Sequence, residues 1–336
     1  MPLHSHTTHS APLWKRRFEL ERWIREYFWG LNYLEIKTPL LVQSPGMEPH
    51  LRPVQILHPS PVFLPTSPEF GMKKILAQGE PRIFQICSSF RDEPLSPEHR
   101  PEFTMLEFYE AQISLDDFQG RVEGLLISLS MRAHGKSQSQ FRGHTIDWSP
   151  PWPRLRVVDL FQEHVGIDLR THTTPESLAK VVKKFGLTGD AHETWDDLYF
   201  RLWLNLIEPK LPAHRPIFVT HYPVSQSSLC NRVKDEKGFE WANRFEVYAG
   251  GCELGNAFDE LRDPVKQRQN FEHDQLVRRE AYGKTWPESP IDEDLLRAIS
   301  QMQPTCGIAM GVDRLAMVIL GATQIGELIA VEPYWK

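Results

Sequence analysis

The stretch from Arg82 to Tyr109 constrains this chain most: two apolar runs flank a charged segment that carries three prolines. An apolar run, a polar loop and a second apolar run predict two antiparallel strands joined by a long loop. Arg91, Asp92, Glu93, Glu98, His99, Arg100 and Glu102 crowd that loop, and Phe103 follows. A loop of this length held between two strands is more often functional than not.

These residue types suit the activation of a carboxylate by ATP. The guanidinium of Arg91 is a rigid fork that can grip a carboxylate and an α-phosphate together, stabilising the charge that builds as one attacks the other. Phe103 offers a flat face for adenine, and Glu93 and His99 can hydrogen-bond the base and phosphates around it. A solvated hairpin with an ordinary Arg–Glu surface pair fits the same residues, because exposed ion pairs are common and weak.

Composition excludes several classes. The 336 residues are enough for one large α/β domain or two small ones with a substantial core. A net charge of -6 supplies no global positive field, which weighs against RNA as the main partner. No apolar run reaches membrane-spanning length and the N-terminus lacks a leader-like apolar region, so a cytoplasmic protein is expected. Cys87, Cys230, Cys252 and Cys306 lack metal-ligand spacing and read as reduced thiols. Residues 1–12 read as a disordered tail, its His4, His6 and His9 having nothing nearby to fix ligand geometry.

Beyond the central stretch, periodicity predicts the frame. From Leu13 a helix buries Trp14, Phe18, Leu20, Ile24, Tyr27, Phe28 and Leu31, with Lys15, Arg16, Arg17, Glu21, Arg22 and Glu26 on the outer face. Asn32 ends it, and Tyr33 to Ile36 begin a strand. Ser67 is an N-cap for a helix with Pro68 at its first position and Glu69 in its first turn, where a carboxylate complements the helix dipole. A further helix covers Leu115 to Met131. Residues 133–145 read as a polar loop leading into a short strand, and about 159–210 as inserted helices with Leu202, Trp203, Leu206 and Ile207 in their core and no catalytic constellation. Two strands meet at Gly250-Gly251, and even spacing puts Asn256, Phe258 and Glu260 on one face of the second. Glu246 and Glu253, on opposite arms, carry the hard oxygens that suit Mg²⁺, or are paired surface glutamates.

Phe90 to Glu93 with His99 to Glu107 resembles motif 2 of the class II aminoacyl-tRNA synthetases, in the form of their lysyl branch. Asn32 to Leu41 resembles motif 1, and Gly307 to Leu315 resembles motif 3. Three motifs in order are far more specific than any one. The resemblance implies an α+β class II catalytic fold over 13–336, a mainly antiparallel sheet flanked by helices, without an anticodon-binding OB domain. It also implies a homodimer formed through the first helix and strand.

The resemblance further implies ATP and Mg²⁺ as cofactors and Arg91 as the catalytic residue. ATP would be held by Arg91, Glu93, His99, Arg100, Phe103, Glu246, Glu253, Leu254, Gly311 and Arg314, with Glu246 and Glu253 on the metal. The substrate would meet Ser67, Glu69, Glu107, Tyr109, Asn256, Phe258, Glu260 and Ala309, with Glu69, Tyr109 and Glu260 around a side-chain ammonium. Carboxylates in a partly dry pocket favour such a cationic guest. Within the branch the chain looks most like the truncated paralogues that activate (R)-β-lysine and transfer it to a lysine of elongation factor P, since Ala309 stands where the synthetases usually have Gly. A ligase using L-lysine on tRNA or another amine, and a non-catalytic lysine or nucleotide sensor, are the alternatives. Glu98, Arg100 and Ala257 depart from the resembled pattern.

Overall fold

A computed structural model describes residues 11–56, 59–188, 193–283 and 286–331. The expected tail lies outside these residues except for its last two positions, and His4, His6 and His9 lie outside them. The chain opens with α1 (Leu13–Gly30), β1 (Leu34–Glu35), β2 (Gln55–Ile56), β3 (Val62–Phe63) and α2 (Glu69–Leu76). The central stretch forms β4 (Arg82–Phe90) and β5 (Glu102–Ala111), antiparallel as expected. Then come α3 (Leu115–His134), β6 (Gln138–Phe141), β7 (His144–Asp147) and β8 (Arg154–Arg156). The inserted helices are α4 (Val157–His164), α5 (Pro175–Lys184) and α6 (Trp195–Leu202). After them lie β9 (Ile217–Tyr222), β10 (Arg232–Lys234), β11 (Glu240–Ala249), β12 (Cys252–Asp259), α7 (Pro264–Tyr282), α8 (Glu293–Ile299), β13 (Thr305–Gly311) and α9 (Val312–Leu320).

A nine-stranded sheet in the order β1-β4-β5-β13-β12-β11-β9-β8, with β10 beside β11, organises the molecule. It is antiparallel except at its edges, where β1 pairs with β4 and β8 with β9 in parallel. β13, the last strand, lies between the β4–β5 and β11–β12 hairpins and joins them into one surface. One core packs α1, α3 and α9 together with the sheet, through Phe28, Phe108, Leu126 and Met317 among others. A second core holds the inserted helices against β9 and β11, and a third gathers α2, α7 and α8. No helix among the described residues is long and apolar enough to cross a membrane.

Several local expectations are corrected. α1 buries Leu20, Ile24, Phe28 and also Arg17, whereas Trp14 and Phe18 are 39% and 53% exposed. Arg17 turns inward because it has an ionic partner there: its Nε donates to Asp313 Oδ1 at 3.0 Å and its Nη2 to Thr104 Oγ1 at 2.6 Å. Asp313 Oδ2 in turn accepts the Thr104 N–H, tying α1, β5 and α9 at one point. The strand expected at Tyr33 to Ile36 shrinks to two residues after Asn32, which leaves the helix at φ 59. Residues expected as a loop form the β6–β7 hairpin, turned at Arg142 and Gly143 with φ of 47 and 80, the pair of positive values that suits a tight hairpin. Pro68 stands just before α2 instead of inside it, although the Ser67 hydroxyl does accept the Glu69 N–H at 3.0 Å.

Removing one member of a buried ion pair strands the other. Arg17→Ala should therefore lower unfolding stability by about 3 kcal/mol, read as a reduced urea midpoint with unchanged slope.

Candidate active site

Sheet register builds the site. Glu107 on β5 pairs with Ala309 on β13, Ala309 with Asn256 on β12, and Asn256 with Glu246 on β11. Directly paired residues share a face, so this row crosses four strands. Two residues along, Tyr109, Gly307, Phe258 and Arg244 form a parallel row. The β11–β12 turn at Gly250 and Gly251 has φ of 62 and 76, as the sequence predicts. Farther along, Val247 pairs with Gly255 but Tyr248 with Glu253, leaving Leu254 as an extra residue. That bulge brings odd-numbered Glu253 to the same face as Asn256 and Glu246, which strict alternation would forbid.

A 450 Å³ cavity opens on this face, and every expected site residue except Tyr109, Glu246 and Glu260 lines it. One half is cationic. The Arg91 guanidinium lies over the Phe103 ring, 5.1 Å from its centroid. The Nε atoms of both Arg91 and Arg100 are buried without a partner, an arrangement that suits an anionic guest. Arg314 on α9 donates to Glu253 O at 3.3 Å and to His99 Nε2 at 2.6 Å. Since arginine can only donate, that ring nitrogen accepts, leaving Nδ1 to donate to Ser96 Oγ at 3.0 Å. Burial, and then the Arg314 charge, hold His99 below its ordinary range and keep it neutral.

The other half is a carboxylate cluster. Glu107 Oε1 accepts from Ser67 Oγ at 2.5 Å and Oε2 from Tyr109 OH at 2.8 Å. Lys73, one turn after Glu69 on α2, sets its Nζ 2.5 Å from Glu69 Oε1 and 2.6 Å from Glu260 Oε2, the latter a charge contact without hydrogen-bond geometry. Tyr109 and Glu260 thus lie behind the lining, and the place between Glu69 and Glu260 expected for a guest's ammonium holds the chain's own. The sequence reading missed Lys73, although its spacing of four from Glu69 on a helix was a usable signal. Burial, then the Glu69 charge, push Glu107 up to about 8. Burial likewise lifts Glu260 to about 8 against the pull of Lys73. Gly307 is required beneath them, because a Cβ there would meet the Tyr109 ring at 2.2 Å and Glu260 Oε1 at 2.6 Å.

Glu246 accepts from Tyr222 OH at 2.6 Å, from Tyr248 OH at 2.9 Å and from Arg244 Nη2 at 2.5 Å. Burial and then Glu246 raise neighbouring Glu253 to about 7. No group of three metal-ligating side chains occurs among the described residues. Glu246, expected as a metal ligand, is held back from the cavity by these three donors, so Glu253 is the carboxylate that fits Mg²⁺, which takes one or two protein carboxylates and completes its shell with phosphate oxygens and water. The cavity's outer wall holds residues not singled out from sequence: Glu48, His50 and Asp274, with Asp196 and Phe200 from the inserted α6.

The profile of tRNA synthetases class II (D, K and N) matches residues 3–331. The chain belongs to that family of ligases. It is 34% identical to the "Elongation factor P--(R)-beta-lysine ligase" of Salmonella paratyphi B, over 96% of this chain and 95% of the relative, and to the same degree to that of Salmonella enteritidis PT4. It is 32% identical to the "Lysine--tRNA ligase" of Pelotomaculum thermopropionicum over 94% of this chain, and spans 62% of that relative's length. The class II domain accounts for the three motifs and the α+β sheet that carries them.

The Glu107 carboxyl, raised to about 8, must lose its proton to receive a cation. An amine guest whose ammonium stays charged through this window should bind more tightly as pH rises toward about 8 and release a proton as it does so. Calorimetry in two buffers of different ionisation enthalpy checks this; equal heats would show no linked proton.

Proposed function

We propose that this protein uses ATP and Mg²⁺ to activate (R)-β-lysine as its adenylate, then transfers the β-lysyl group to a lysine side chain of elongation factor P in the cytoplasm. The observation that carries the reading is the division of one cavity into an arginine half and a carboxylate half, which suits a polyphosphate at one end and a diamino acid at the other. In the first step the substrate carboxylate attacks the α-phosphorus and pyrophosphate leaves. In the second, an acceptor amine attacks the acyl carbon and AMP leaves.

Arg91 bridges the attacking carboxylate and the α-phosphate, and its buried, partnerless Nε provides the donor for them. Arg314 holds the nucleotide from the other side, while Glu69 and Glu107 receive the substrate's ammonium groups. Glu253, supported by Glu246, would hold Mg²⁺, which offsets phosphate charge when bound. No covalent enzyme intermediate is needed, because orientation and charge stabilisation lower the barrier.

Two points favour the β-amino acid. The match runs through 95% of relatives named for (R)-β-lysine. Ala309 lies between Glu107 and Asn256 in the sheet row, so its methyl alters the floor where the amino group shifted by one carbon would rest. A second reading, L-lysine activation, is favoured by the 32% identity to a lysine–tRNA ligase. A homodimer is the natural cover for Trp14 and Phe18 on α1 and the exposed Leu34, Leu40 and Leu41 beside it.

Amino-acid-dependent ATP–pyrophosphate exchange decides among these. Exchange strongest with (R)-β-lysine is expected; preference for L-lysine favours the second reading, and none with either overturns both. Arg91→Ala should lower exchange by at least about a hundredfold without lowering the melting temperature. Light scattering should give twice the mass of one chain.

A further inference from the structure

We propose that Arg244 is a positioning residue for the amino-acid substrate: its guanidinium fixes which way the Asn256 amide turns, so that Asn256 meets the guest with its NH2 and grips the carboxylate instead of an ammonium. The inference rests on the function proposed above and adds to it the residue that sets which end of the diamino acid lies over β12.

The placement follows from register. Glu246 pairs with Asn256 and Arg244 with Phe258, so two residues of β11 and two of β12 make one block on the active face. Asn256 is thus diagonal to Arg244, a separation that a long side chain spans. Arg244 is 9% exposed, and its guanidinium is held by two rings and two acceptors. It lies 4.4 Å from the Tyr222 ring centroid and 5.4 Å from that of Phe258, contacts that suit a flat, weakly hydrated cation. Its Nη2 donates to Glu246 Oε1 at 2.5 Å and its Nε to Asn256 Oδ1 at 3.1 Å.

An amide can turn either branch toward a neighbour, and the partner decides which. Arginine has donors only, so the branch facing Arg244 is the oxygen. Asn256 lines the cavity, and among the described residues this is its side chain's one hydrogen bond. What it has left for a guest is chiefly its two N–H donors. Donors suit a carboxylate and have nothing to offer an ammonium, which itself only donates. A guest whose carboxylate rests at Asn256 runs along the sheet row past Ala309 toward Glu107, its acid and amine ends matched to opposite members of that row. Held at one oxygen, the carboxylate keeps the other free to attack phosphorus. Without Arg244 the amide would be free to turn its oxygen to the cavity, and the two ends of the guest would no longer be told apart at β12.

The test compares calorimetric binding of (R)-β-lysine and L-lysine with that of the diamines they leave on decarboxylation, which keep both ammonium groups and lack the carboxylate. Arg244→Met should weaken both diamino acids about tenfold, the loss when one hydrogen bond to a charged group goes, and leave the diamines unchanged, with thermal melting as the control of fold. Tyr222 and Tyr248 still donate to Glu246 in that variant, so its carboxylate keeps two partners. Asn256→Asp retains an acceptor for Arg244 but removes the N–H donors; it should lose at least as much for the diamino acids and nothing for the diamines. Arg244→Met combined with Asn256→Ala should bind no more weakly than Asn256→Ala alone, the mark of two residues acting through one contact. Equal losses for diamino acids and diamines would make Arg244 a structural residue only and overturn the inference, as would native binding by Asn256→Asp or losses that add in the double variant. Those results leave the proposed function standing, whereas a native protein that binds neither diamino acid overturns that function and this inference with it.

Discussion

The active face depends on one register. Glu107, Ala309, Asn256 and Glu246 stand in line across four strands because each pairing is held in phase by its neighbours. A slip of one residue anywhere would turn a whole strand's side chains to the opposite face. Two features key that phase. The two-residue turn at Gly250 and Gly251 fixes β11 against β12, and Gly307 fixes β13 against β5 because only a hydrogen fits beside the Tyr109 ring. Since β13 is the last strand and sits in the middle, the two halves of the site become one surface only when the chain's final quarter is in place.

On that surface the charges are sorted by their supports. Arginines come from the motif loop, β11 and α9, while the clustered carboxylates Glu107 and Glu69 project from β5 and α2 with Glu260 behind them at the end of β12. The sorting is costly, because like charges at close range in a dry site raise one another's energy. Glu107, Glu253 and Glu260 all respond by holding protons more tightly than carboxyls in water. Such an arrangement is relieved by opposite charge, so it favours a cationic guest over a neutral one.

Much of this was legible in the sequence where local rules decide. The paired strands around Arg91 and the glycine turn before Glu253 both follow from short-range patterns. Legibility failed where a distant residue overrides the pattern. Arg17 looks like a surface charge until Asp313, far along the chain, supplies the partner that takes it inside. Glu253 looks misphased with Asn256 until the bulge at Leu254 is known. Lys73 reads as one more helix lysine because the two carboxylates that bury it are set by different elements. The β6–β7 hairpin was missed because its turn opens on arginine, a residue that seldom accepts positive φ.

The geometry of α1 has a mechanical side. Its inner edge grips Asp313, the residue before Arg314, while its outer edge presents Trp14 and Phe18 bare to solvent. The helix is a stiff lever one residue away from Arg314 on the cavity wall, and any surface that covered its outer edge would lean on that lever. A second surface seated on that edge would thus be felt at Arg314 through a chain of only two side chains, Arg17 and Asp313.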